Sequence, residues 1–105
     1  MKYLLTTAFA LLCCSAAQAA GDAAAGKAKA VACQACHGAD GVAIVPSYPN
    51  LAGQNAEYMV NQLKAFKSGE RKGAQSAIMA PMSAGLSEQD MEDVAAYFAS
   101  LPPAN

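Results

Sequence analysis

This chain of 105 residues has no tryptophan, a single histidine, and only two cysteines, Cys33 and Cys36, beyond its first stretch. Each shortage excludes something. With one imidazole, no metal centre can draw two histidines from this chain. With one pair of thiols three positions apart, there is no disulfide framework to staple a small fold. Charged residues make up only 14%, the formal net charge is −1, and no run of one sign occurs. The strongly basic face that nucleic acid demands is therefore missing. No segment repeats, and no stretch reads convincingly as a strand.

Long hydrophobic runs are scarce too. The one that exists, Tyr3 to Cys14, is too short to be a stable membrane anchor. Lys2 precedes it, and small residues follow it to Ala17-Gln18-Ala19, an A-x-A site. This pattern predicts a secretory signal peptide over residues 1–19, cleaved before Ala20, and one domain over residues 20–105. No stable membrane insertion is expected once the leader is gone. Cys13 and Cys14 read as apolar filler of that leader. A lipid anchor on one of them is the minor alternative, because a lipoprotein cysteine follows a small residue and Leu12 and Cys13 precede these.

The 54% hydrophobic content overstates the core. From residue 20 onward, 21 residues are alanine and only 20 are Val, Ile, Leu, Met, Phe or Tyr. A chain this small buries a modest fraction of its surface and is marginal alone. Something else should complete the core, and a large apolar cofactor would do so.

Three helical patterns are present. Asp22 can cap an alanine-rich helix from Ala23 to about Cys36. Gly26 is odd inside it: either a tolerated glycine or a close helix crossing where no side chain fits. The second pattern runs from Asn55, a cap, to about Lys67, with Met59, Leu63 and Phe66 on one face and Gly69 as the stop. The third runs from Glu88 to Leu101. Ser87 and Asp90 resemble a capping box, Met91, Val94, Ala95, Phe98 and Leu101 form its stripe with Tyr97 at the flank, and Pro102-Pro103 end it. Residues 38–54 and 68–86, rich in glycine and proline, read as long loops. So much irregular chain in a small domain points to a ligand that orders it.

The chemistry sits in VACQACHGADG, residues 31–41. A redox Cys-x-x-Cys belongs at a helix start after a strand, and here it ends a helix with no strand before it. A structural zinc needs four ligands, and Cys33, Cys36 and His37 offer three in a cramped row. Covalent haem needs two thiols three positions apart for its two vinyl groups, and an imidazole next in sequence to reach the iron. C-x-x-C-H is that pattern, and the export signal agrees with it. The second axial donor must then be soft and neutral, such as a methionine thioether. Met59 and Met91 fall on helix faces and read as core filler. Met79 and Met82 fall in the second loop, which can carry a side chain to the far haem face.

The chain resembles the class I c-type cytochromes, and is most similar to the bacterial periplasmic branch holding the dihaem c-four type and its small monohaem relatives. The resemblance runs over essentially all of residues 20–105, and the motifs that carry it are AGDAAAGKAKA, CQACHGADG, YPNLAGQ, MAPMSAGLSEQD and VAAYFASL. The c-four type repeats this unit twice, and one copy is present here. The resemblance implies an all-α class I cytochrome c fold: three main helices and long loops wrapped around one covalently bound haem c. It implies thioethers at Cys33 and Cys36, His37 as the proximal iron ligand, and the Pro49 carbonyl on the ring N–H of His37. It places the distal ligand seven residues before Leu86, at Met79, with Met82 packing on the haem or in reserve. It pairs Gly26 with Tyr97 where first and last helices meet. Tyr48 is either a neighbour of a haem propionate or an ordinary loop aromatic.

Such a protein is expected to be a monomeric periplasmic one-electron carrier rather than an enzyme. Its partners would be transient redox proteins: a quinol-oxidising complex as donor and a haem–copper terminal oxidase or a reductase as acceptor. Lys64, Lys67, Arg71 and Lys72 read as a solvated face, or else as a steering patch. Two other classes stay open: a haem enzyme or gas sensor with a labile sixth ligand, and a subunit of a larger redox complex.

Overall fold

Asp22 starts the first helix by accepting hydrogen bonds from the backbone N–H groups of Ala24 and Ala25. The structure, a computed structural model, describes residues 21–104. The signal peptide, its cleavage point, and Cys13 and Cys14 lie outside the described residues. Within them the chain forms five helices and no strand: α1 (Ala23–Lys29), α2 (Val31–His37), α3 (Ala56–Ser68), α4 (Ser76–Ala84) and α5 (Glu88–Ser100).

Two of these depart from the three helices expected. The run from Ala23 to Cys36 breaks at Ala30, whose ψ of 0° turns the chain between α1 and α2. Ala30 has no exposed surface, and Cys33 packs against the same core. The break therefore buries Ala30 while swinging the Cys-x-x-Cys-His motif onto its own short helix. Residues 76–84, expected as loop, are helical despite Pro81 in their midst. Proline removes the N–H that the Ala77 carbonyl would have received. The helix persists because it packs along α3 and because the Ser83 hydroxyl donates to the Met79 carbonyl at 2.8 Å.

The long helices behave as their sequences dictate. Asn55 caps α3 through the Tyr58 N–H, and Gly69 ends it in the left-handed conformation at φ 80°. Both bonds of the Ser87–Asp90 capping box form at the start of α5. Leu101 is extended, as a residue before proline must be. Helix α5 lies at the centre, against α1 on one side and α3 on the other. Phe98 and Met91 are 0% and 2% exposed, and Met59, Val60, Val94, Ala95 and Tyr97 complete the buried cluster. Burying one such large side chain is worth roughly 1.5–3 kcal/mol, so a handful of residues carries this core.

The α1–α5 crossing is very close. A Cβ on Gly26 would sit 1.9 Å from the Asp93 carbonyl oxygen, and one on Gly21 would meet Glu92 as closely. Of the two readings of Gly26, the helix crossing holds. Ionic contacts lock the same joint. The Asp93 carboxylate, 3% exposed, accepts from the Asp22 N–H at 2.8 Å, Lys29 Nζ at 2.7 Å and Gln89 Nε2 at 2.8 Å. Lys29 also reaches Asp90 at 2.9 Å.

Candidate functional site

His37 closes α2 and is buried, 7% exposed. Its neighbour Gly38, at φ 90°, turns the chain sharply away, which no side-chain-bearing residue does without strain. The loop that follows is pinned rather than slack. The Gly41 carbonyl accepts from Leu51 and Ala52 N–H at 2.8 and 3.0 Å, and Asn50 Oδ1 accepts from Ala43 N–H at 2.7 Å. Tyr97 Oη donates to the Ala39 carbonyl at 3.3 Å, and Gly53 N–H to the Phe98 carbonyl at 2.9 Å, tying the loop to α5.

These ties deliver Pro49 to the imidazole. The Pro49 carbonyl oxygen lies 2.8 Å from His37 Nδ1. An acceptor carbonyl there makes Nδ1 the protonated nitrogen and leaves the lone pair on Nε2. Among the described residues no side-chain nitrogen or oxygen is both sealed and unpartnered. Nε2, for which the described residues offer no hydrogen-bond partner, is left as the nitrogen able to donate to a metal.

Cys33 and Cys36 are free, half-buried thiols on the same short helix. Burial pushes the Cys33 thiol up from its ordinary value. That is the opposite of the lowered thiol a redox Cys-x-x-Cys needs, and it disfavours the dithiol reading. Among the described residues no three thiol, imidazole or carboxylate groups converge to hold an ion. For covalent haem the donors fit: two thiols three apart, an oriented imidazole, and large apolar side chains at the surface. Ile44 is 93% exposed, Val45 48%, Ile78 45% and Met82 43%, a surplus suited to lying against a large apolar group.

Met79 and Met82 ride on α4, Met79 half-buried and Met82 exposed. Tyr48 is half-buried in the loop just before Pro49. Met59 and Met91 are core residues, 7% and 2% exposed. The basic group near the end of α3 is largely committed elsewhere. Lys64 pairs with Glu88 at 2.6 Å, Lys67 donates to the Leu86 carbonyl at 2.6 Å, and Arg71 lies 4.4 Å over the Phe66 ring. Sequence reasoning missed these roles, and also Gly21, whose place at the crossing mirrors that of Gly26.

A helical fold in which one short helix presents Cys-x-x-Cys-His defines a c-type haem protein. Residues 23–102 match the family model for cytochrome c, and the chain belongs to that family. It is 53% identical over 81 residues to cytochrome c-554(548) of Halomonas halodenitrificans, covering 77% of this chain and 98% of that one. It is 46% identical over 99 residues to cytochrome c4 of Pseudomonas aeruginosa, covering 94% of this chain and 48% of that one. Reduced recombinant cytochrome c4 from Pseudomonas stutzeri superposes with a TM-score of 0.69 at 45% identity, over 79% of this chain and 47% of that one. The chain thus spans about half the length of its c4 relatives and nearly all of c-554(548). It is a class I c-type cytochrome resembling a c4 unit, binds haem c covalently, and serves haem-based electron transfer. Among the described residues no helix is long and apolar enough to cross a membrane.

Proposed function

We propose that this chain is a periplasmic one-electron carrier whose single haem is tethered at Cys33 and Cys36 and ligated by His37 and Met79. Bound haem supplies a reversible one-electron iron couple, and the polypeptide supplies burial, orientation and ligand choice. The observation that carries the reading is the 2.8 Å contact between His37 Nδ1 and the Pro49 carbonyl. It fixes the ring's tautomer and orientation and raises the donor strength of Nε2. Met79 supplies the second axial donor, and Met82 and Tyr48 pack beside the haem. With both positions filled by protein, the site exchanges electrons rather than binding substrate.

Residues 1–19 direct export, and the domain of residues 20–105 works as a monomer. Its partners dock transiently, a quinol-oxidising complex as donor and a haem–copper oxidase or reductase as acceptor, through small interfaces typical of redox encounters. Steering by the basic group is weak, since three of its four members are engaged within the chain.

The experiment is a spectrum of the oxidised haem-loaded protein and of two variants. The wild type should show the far-red sulfur-to-iron band, Met79→Ala should lose it and fall in reduction potential, and Met82→Ala should keep it. A wild type without the band refutes methionine ligation. Loss of the band in Met82→Ala alone reassigns the ligand.

A further inference from the structure

We propose that Ser83 is a positioning residue for the sixth iron ligand: its hydroxyl fixes the turn that carries Met79 and so keeps the thioether in place. The inference rests on Met79 being that ligand.

Helix α4 is poorly secured by the usual devices. The chain enters it through Gly73 and Ala74, both at positive φ, 88° and 43°, a conformation that strains an alanine. Gln75 at its N-cap makes no side-chain cap bond. Pro81 deprives the Ala77 carbonyl of its helical partner. Ile78 and Met82 remain about half exposed on one face.

Ser83 stands against this looseness. It is the one buried residue of α4, at 0% exposure, and its Oγ donates to the Met79 carbonyl at 2.8 Å across the proline. Its own carbonyl accepts from Leu86 N–H at 3.1 Å, and the Leu86 carbonyl accepts from Lys67 Nζ at 2.6 Å. Met79 is thereby linked through Ser83 to the end of α3. A hydroxyl without exposed surface must bond or pay its full desolvation cost, and Met79 is the residue it bonds. Since backbone geometry sets side-chain direction in a helix, holding this turn aims the Met79 side chain.

A back-bonded serine is also an ordinary helical habit. Ser68 provides the control: its hydroxyl makes a like bond to the Ala65 carbonyl at 3.2 Å, exposed on α3. The test is imidazole titration of the oxidised haem-loaded protein, with the far-red band followed on heating beside far-UV circular dichroism. Ser83→Ala should bind imidazole about fivefold more tightly, the factor an ordinary hydrogen bond is worth, and lose its band below the unfolding temperature. Ser83→Thr, which keeps the hydroxyl, should restore wild-type affinity even if the added methyl lowers the melting point. Ser68→Ala should change nothing. The proposal is overturned if Ser83→Ala binds imidazole as the wild type does, or if Ser83→Thr matches Ser83→Ala. Met79→Ala run alongside separates the two failures: a band that survives it removes the ligand assignment, and a band lost there with Ser83→Ala silent removes only the role of Ser83.

Discussion

Replacing Gly26 with alanine tests the joint between α1 and α5. The new Cβ would lie 1.9 Å from the Asp93 carbonyl oxygen, 2.5 Å from its carbon and 2.9 Å from the Tyr97 Cβ. Carbon and oxygen settle near 3.3 Å, so the helices must part by roughly 1.4 Å. No flexible side chain can yield, because the first obstacles are backbone atoms. Parting also stretches the bonds from Asp22 N–H and Lys29 to the Asp93 carboxylate. Overpacking of this kind costs about 3 kcal/mol, at the upper end of its usual range. Alanine's better helix propensity returns about 0.5–1 kcal/mol. The net loss of about 2 kcal/mol should lower the melting temperature of the haem-loaded protein by about 10–15 °C. Gly85→Ala is the matched control, since nothing lies within 4 Å of its Cβ position and its φ is −83°. It should be neutral, or stabilising by about 0.4–1 kcal/mol. Thermal unfolding by far-UV circular dichroism reads both. A Gly26→Ala protein melting at or above the wild type would refute the close crossing.

Other outcomes follow from the same geometry. Asp90 is held down to about 2, first by the hydrogen bond from Lys29 and then by Ser87, and Asp93 to about 2, first by the Asp22 backbone N–H and then by Lys29. Lowered carboxylates stabilise the fold above their ordinary range and lose that contribution as pH falls from about 4 towards 2. Lys29 is raised by Asp93 and Asp90, so its contribution is complete below pH 10.5 and fades only as pH climbs beyond it. Acid melts should show stability flat near neutrality and falling below about pH 4, with a shallower fall in Asp93→Asn; an unchanged slope would contradict the assignment. Lys64→Ala should leave the melting point unmoved at any salt concentration, because the Lys64–Glu88 side chains are 47% and 73% exposed. A Cys33→Ala/Cys36→Ala double variant should show no haem stain on a denaturing gel, and a stained band would disprove thioether attachment.

What the sequence made legible was whatever carries its own local chemistry. Asp22, Asn55 and Ser87 announce helix starts because their side chains bond nearby N–H groups, and each does so in the structure. Gly69 announces a stop for the same local reason. The break at Ala30 was not legible, since alanine signals no turn and the bend there serves distant core packing. Helix α4 was hidden because glycine and Pro81 read as breakers, while its support comes from α3 and from the Ser83 hydroxyl. Cys33, Cys36 and His37 stood out by spacing alone. The roles of Lys67 and Arg71 could not, because the Leu86 carbonyl and the Phe66 ring become partners only after folding.

The joint of α1 with α5 also sets an order of events. Asp22 and Asp93 are 71 positions apart, yet each needs the other, so a growing chain cannot finish this domain until its final turns have emerged. Until then α1 lacks the helix it packs on, and the polypeptide stays unclosed. The last helix thus acts as the bolt that seals the two ends of the domain together.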